Sequence, residues 1–389
     1  PAAPPTVPAP NYPPPAPPAA FDGLPNTPAP APARRGIGRT LLIVLGLVGL
    51  LVVAACVGGA VLLTRSAGGL VAQPTSPAGA TPQPSAAAGN SGNTSSGGQG
   101  TWTVLVYLDG DNNLEKDALK DLNEMELAGS NDQVHIVVQL DRVRQDGPKD
   151  DTSNGDWDTA KRFLVKRDGN RSRIGSIELD DLGEVNMGDP QTLVDFVSWG
   201  VKAYPAERYA LVLWDHGSSW AGIAFDDTSD QKGISLPELD QALRTIQSQT
   251  GIERFDLIGF DACLMAQIDV LQTIEPYGKF AVASAELEPN DGWAWDTWLQ
   301  NLETEPSQDT AAVAKSIVDA YQGYYQNADD DTVTLSAFDL SKLAPVRDGL
   351  NTLSDIMLRD LGSAYQPIAE ARSSADAYSQ PKPEEFNAI

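Results

Sequence analysis

Cysteine and histidine are scarce in this chain, with two of each in 389 residues. No pattern of metal-gripping Cys and His spacing can be built from so few. Cys56 sits inside an apolar run, so Cys263 stands alone in the rest of the chain. No internal disulfide can form there, and cysteine usage does not report the redox compartment. Basic charge is also short: 27 Lys and Arg stand against 53 Asp and Glu, for a net charge of −26. The first hundred residues carry only Asp22, Arg34, Arg35, Arg39 and Arg65, so the acid excess lies beyond them. A surface of that sign repels nucleic acid phosphates and attracts basic peptides, or it serves solubility alone. A phosphate-cradling glycine loop and a basic patch with interleaved aromatics are both missing.

Four regions follow from composition. Residues 1–40 are rich in Pro and Ala and nearly uncharged, so they cannot bury a core and are expected to be extended or disordered. Residues 41–63 are apolar without a charge, long enough to cross a bilayer as one helix. Three arginines precede this run and one follows it closely, which places the N-terminus in the cytoplasm and the remainder outside the cell. A cleaved signal peptide would have a shorter apolar stretch. Val53-Ala-Ala-Cys56 resembles a lipoprotein cleavage box, but the apolar run continues to Leu63. Residues 64–100 read as a flexible Gly/Ser/Pro tether. Residues 101–389 are long enough for one large domain with a substantial core. The chain does not begin with Met and reads as a fragment, one that could also be truncated at Ile389.

Within 101–389 the apolar pattern alternates between periods of two and 3.6. Strands are expected at 102–108, 134–140, 209–214, 255–260, 280–284 and 332–338, with a hairpin or edge pair at 162–166 and 176–179. Helices are expected at 114–127, 190–203, 236–247, 264–274, 311–326 and 343–361. Pro190 suits a first helical turn, and Ser235 with Glu238 forms a capping box. Repeated βα units imply an α/β fold, a largely parallel sheet with helices on both faces.

In such sheets ligands sit outside the carboxyl ends of the strands. His216 follows the apolar run Tyr209-Ala-Leu-Val-Leu-Trp-Asp215, and Cys263 follows Phe255-Asp-Leu-Ile-Gly-Phe-Asp-Ala262. Both therefore fall on that rim, a nucleophile beside its base. A helix starting at Cys263 would favour the thiolate by its dipole. Each residue alone has a plainer reading, a buried small hydrophobe or a satisfied structural histidine.

The surrounding residues resemble the clostripain family of cysteine peptidases. The matching stretches are Val104-Leu-Val-Tyr-Leu-Asp-Gly-Asp-Asn-Asn-Leu-Glu115, Leu213-Trp-Asp-His-Gly-Ser-Ser-Trp220, Ile234-Ser-Leu-Pro-Glu-Leu239, Gly259-Phe-Asp-Ala-Cys-Leu-Met-Ala266 and Ala283-Ser-Ala-Glu-Leu-Glu-Pro-Asn-Asp-Gly-Trp293. One departure is Asn290, where the resemblance leads to an expectation of glycine. The resemblance implies a caspase-like fold and a cysteine endopeptidase with His216 and Cys263 as its dyad. It implies an oxyanion hole from the backbone N–H groups of Gly217 and Cys263. It also implies cleavage after Arg, sometimes Lys, with Asp261 near the pocket for that residue. Asp261 could equally cap the helix expected at Cys263. Asp291 is a second pocket candidate. Family members cut themselves in the loop after the catalytic histidine, and Lys232 is the only basic residue in that loop here. The loop lacks periodicity and is expected to be exposed and mobile.

Asp109-Gly-Asp-Asn-Asn113 opens like a calcium loop but has Leu114 and Lys120 where the sixth-position glycine and the twelfth-position acid belong. It reads as strand-end and helix-cap chemistry. No metal site and no required cofactor is expected; calcium stays possible without a loop motif to support it. The function expected is a membrane-anchored endopeptidase acting on protein or peptide substrates with basic residues. The alternative is a catalytically silent surface binding module.

Overall fold

The computed structural model describes residues 100–143, 152–327 and 333–375. The candidate membrane span at 41–63 lies outside them, as do the Pro/Ala segment and the tether up to residue 99. No helix among the described residues is long and apolar enough to cross a membrane.

Eight strands form one sheet in the order β10-β9-β8-β5-β1-β2-β3-β4. β1 (Gly100–Gly110), β2 (Val134–Arg142), β5 (Ala206–Trp214), β8 (Phe255–Asp261) and β9 (Gly278–Ala283) pair in parallel. β3 (Ala160–Leu164), β4 (Ile177–Gly183) and β10 (Ser336–Asp339) join antiparallel at the two edges. The edge pair expected from sequence is thus a β3–β4 hairpin, and β4 is exposed along most of its length.

Strand periodicity builds two cores. In β1, Trp102, Val104, Val106 and Leu108 face one layer, while Leu105 and Tyr107 face the other. The first layer holds helices α1 (Glu115–Ala128), α5 (Trp295–Thr304) and α6 (Thr310–Asn327). The second holds α2 (Pro190–Ala203), α3 (Leu236–Thr250) and the short α4 (Ile268–Ile274). Asp189 caps α2 by accepting from Gln191 N at 2.9 Å, with Pro190 in its first turn. Glu238 Oε2 accepts from Ser235 N at 3.0 Å and closes the capping box at the start of α3. The last helix, α7 (Leu343–Ser374), runs well beyond the 361 expected, through a non-helical Ala364 and Pro367.

The chain leaves β1 toward β2 on one side and returns to β5 on the other. That reversal opens a crevice at the carboxyl ends of β1 and β5, where such sheets bind ligands.

Candidate active site

β5 and β8 are neighbours in parallel register, with Trp214 opposite Asp261. Asp215 N donates to Asp261 O at 3.3 Å and extends the ladder one step. His216 and Cys263 each lie two residues beyond the Trp214–Asp261 pair. Register alone therefore carries both side chains to the same place on the rim, and both line one cleft. Its other walls include Leu114, Asp261, Glu288, Asn290 and Gly292, around about 380 Å³ of atom-free space, mouth included.

His216 Nε2 pairs with Asn113 Oδ1 at 2.9 Å. An amide oxygen only accepts, so Nε2 carries the hydrogen and Nδ1 the lone pair. Asn113 comes from the turn after β1 and was not singled out from sequence, where the stretch looked only like strand-end chemistry. Burial lowers the imidazole pKa, and the Asp227 carboxylate opposes that shift. Burial raises the Cys263 thiol, the Glu288 N–H pulls it back, and Asp261 and Asp215 add to the rise. The thiol sulfur accepts from Glu288 N at 3.2 Å. At neutral pH the resting pair is therefore neutral imidazole and neutral thiol.

The helix expected from 264 does not begin there. Leu264 N donates to Glu286 O and Ala266 N to Ser284 O, at 3.1 and 2.8 Å, and Leu264 sits at φ +63°. These donors are spent across the loop, so the first helical turn is delayed to Ile268. Cys263 thus receives no helix dipole, and the expectation that it would is corrected. Asp261 is likewise no helix cap: its Oδ2 accepts from Trp293 N at 3.2 Å and Trp295 Nε1 at 2.9 Å.

Gly217 faces the cysteine backbone so closely that a Cβ there would lie 2.1 Å from Cys263 O and 3.0 Å from Cys263 N. Only glycine fits, and the two N–H groups proposed for the oxyanion come from adjoining backbone. Asp215 accepts from Asn112 Nδ2 at 2.7 Å and from Phe225 N, so it orients backbone. Asp291 stands between Asn290 and Gly292, which line the cleft, and is not itself among the lining residues. It binds Lys120 Nζ at 2.6 Å and Tyr324 Oη at 2.7 Å and is half-exposed. Lys232 is exposed and pairs with Glu238 at 3.2 Å. The stretch around it is no formless loop: β6 (Ile223–Asp226) and β7 (Lys232–Ile234) form a small hairpin, turned at Asp230 and Gln231 with positive φ. Local polarity hid this, because the hairpin is held by tertiary contacts such as Lys232 O against Gly188.

A second acidic group lies on the same rim. One carboxylate oxygen each from Asp111, Asp141, Glu184 and Asp226 falls within 4.8 Å of the others. Asp111 Oδ1 and Asp141 Oδ2 are buried without a hydrogen-bond partner. Met187 N and Ser229 N donate to Asp226, at 2.8 Å each, and Thr228 Oγ1 donates to Asp111. Converging hard oxygens of this kind fit a calcium-like cation. The stretch Asp109–Asn113 gave only a partial calcium-loop signal through Asp111, because four separate segments supply the ligand atoms.

The model of the clostripain family matches residues 106–384. The chain belongs to the clostripain family. Clostripain from Hathewaya histolytica is 27% identical over 220 residues, a match covering 50% of this chain and 40% of that protein. The chain thus spans less than half the length of that relative. A secreted C11 cysteine protease from Bacteroides thetaiotaomicron, solved with an irreversible peptide inhibitor, superposes with a TM-score of 0.52 at 24% identity. That likeness covers 63% of this chain and 68% of the other and shows the shared fold. An inactive zymogen C11 protease from Parabacteroides distasonis is similar at 20% identity and a TM-score of 0.47, over 64% of each chain.

Proposed function

We propose that this clostripain-family domain is a cysteine endopeptidase that cleaves after Arg or Lys, with Cys263 as nucleophile and His216 as base. The observation that carries the reading is the shared register: two strands paired at Trp214 and Asp261 deliver His216 and Cys263 to one cleft. The thiol proton passes to His216 Nδ1, and Sγ attacks the substrate carbonyl carbon. The N–H groups of Gly217 and Cys263 receive the developing oxyanion. The C–N bond breaks, the imidazolium returns its proton to the leaving amine, and water then hydrolyses the thioester. Asn113 keeps Nε2 as the donor, so that Nδ1 stays free for this exchange.

Calcium, where the protein uses it, would be held by Asp111, Asp141, Glu184 and Asp226, and would supply positive charge to an anionic group buried except at Glu184. The run at 41–63 is proposed to anchor the domain to the cell membrane as a single span, N-terminus inside and domain outside. The exposed Lys232 is proposed as a self-cleavage point, since its side chain matches the expected specificity.

The test is hydrolysis of a fluorogenic Arg peptide by the purified domain, with Cys263→Ala and His216→Ala beside it. Wild type should cleave, and both variants should fall to background while melting normally. Iodoacetamide should block the wild type at Cys263. Full activity in Cys263→Ala defeats the reading. On a denaturing gel of the same incubations, a fragment beginning at Gly233, absent from Cys263→Ala, supports self-cleavage, and an intact active chain rejects it.

A further inference from the structure

Three segments far apart in sequence meet behind the nucleophile, and hydrogen bonds tie them together in a fixed order. The loops after β8 and after β9 run antiparallel to each other. Ala266 N donates to Ser284 O at 2.8 Å, and Leu264 N donates to Glu286 O at 3.1 Å. Two residues further along, Glu288 N donates to Cys263 Sγ at 3.2 Å, so the sulfur ends that ladder. The third segment precedes β10. β10 pairs with β9 at Ser336 and Ala283, and that register carried two residues further sets Thr334 opposite Ala285. Thr334 Oγ1 accepts from Ala285 N at 3.1 Å and from Glu286 N at 3.0 Å. It also shares a hydrogen with Ser284 Oγ at 2.9 Å. A hydroxyl has one hydrogen and two lone pairs. With both lone pairs taken by backbone N–H groups, Thr334 is the donor to Ser284, whose own hydrogen goes to Glu286 O at 2.9 Å. Every hydrogen-bonding position of this one side chain is thus spent on the loop that touches Cys263.

We infer that Thr334 is a positioning residue for the nucleophile: its hydroxyl fixes the loop 284–288, and that loop fixes the Glu288 N–H on Cys263 Sγ. The inference rests on the endopeptidase reading above, but it concerns a residue that does not itself line the cleft. The thiolate is the attacking species, and here it must form from a thiol whose surroundings favour the neutral form. Burial raises the thiol, and the Glu288 N–H is the donor that most opposes the rise. Hydrogen bonds to an ionised acceptor are the strong ones, and they weaken steeply as distance and angle slip. A loop free to shift would lose that bond as charge gathers on the sulfur. Valine matches threonine in shape but neither accepts nor donates. In place of Thr334 it would strip three hydrogen bonds from the loop at once.

The experiment follows alkylation of Cys263 by iodoacetamide across pH in the whole chain, read by mass at the peptide that carries this cysteine. The rate tracks the thiolate fraction, so its midpoint reports on the thiol without any substrate. Thr334→Val should raise that midpoint by about one pH unit, the worth of one charge-assisted hydrogen bond. Turnover of the Arg peptide should fall by about tenfold in step, as expected of a displaced reacting group. Thr334→Ser keeps the hydroxyl and should restore both. Ser235→Ala removes the capping box of α3 and controls for lost stability alone: it should melt earlier, with the Cys263 midpoint at the wild-type value. A Thr334→Val midpoint equal to wild type overturns the inference. A raised midpoint that Thr334→Ser fails to restore overturns it too, since the hydroxyl would not be the cause. Thr334→Ala is the second variant, and failure of both the Val and Ala proteins to fold makes Thr334 structural and overturns its positioning role. A wild type that cleaves no Arg peptide defeats the peptidase reading itself, while the alkylation midpoints still decide the role of Thr334.

Discussion

Two groups of acids, buried except for Glu184, sit on one edge of one sheet, and they differ in what else reaches them. Under Cys263 are Asp121, Asp261 and Glu288. Trp214 Nε1 donates to Asp121 at 2.7 Å and Trp295 Nε1 to Asp261 at 2.9 Å, so indoles close one side and the cleft opens on the other. Past β1 and β2 are Asp111, Asp141, Glu184 and Asp226, whose oxygens converge within 4.8 Å. The first group leaves room for the charged end of a visiting side chain. The second leaves room for a small bare ion. Residue type is nearly the same in both, so the distinction is one of shape: a cavity beside a carboxyl suits an organic cation, and convergence of carboxyls suits a hard metal.

Three measurements can break or sharpen that contrast. The largest effect is expected at Asn113, which holds the histidine that serves the first group. Asn113→Ala should lower kcat about tenfold with KM little changed, because the imidazole loses its fixed tautomer while the pocket stays intact. An equal loss expressed only in KM would make Asn113 a substrate contact instead.

Calcium response is the second. Saturating calcium at about a hundred times its dissociation constant should stabilise the domain by ~2.7 kcal/mol. In a protein of this size that raises the melting temperature by about 5 °C. Asp141→Asn and Asp226→Asn should erase the response, and Glu288→Gln should keep it. A response that survives Asp141→Asn but vanishes in Glu288→Gln would reverse the roles of the two groups.

The smallest effect concerns pH. Burial and the Asp261 charge raise Glu288, and burial raises Asp261 to about 7. A carboxyl raised in the folded state binds its proton more tightly there than in the unfolded chain. The stability it contributes is full below the ordinary carboxylate range and is lost as pH rises through about 7. The melting midpoint should therefore drift down between those limits, by about a degree or two more in wild type than in Glu288→Gln. Equal slopes in the two proteins would place Glu288 in solvent.

The βα alternation was legible because burial on both faces demands apolar strands, and the caps at Asp189 and Ser235 are local chemistry. The meeting of His216 and Cys263 in one cleft was legible for the same reason, since a strand end is a sequence feature. The helix at Cys263 was misread because Leu264 to Ala266 has helical composition, while Ser284 and Glu286 claim its backbone donors from twenty residues away. The pairing of Asp291 with Lys120 and Tyr324 was not legible, because those partners lie on other helices. Glu288 looked like any loop acid until the fold buried it.

The sequence by itself determined a parallel α/β sheet, its family, and which cysteine and histidine stand at its rim. Those properties follow from periodicity and strand ends, which depend only on neighbours along the chain. Only the tertiary structure decided which acids face the cleft, which face one another, and which are spent on indoles and lysines. Burial and pairing of a carboxylate are set by residues far away in sequence, and no local pattern encodes them.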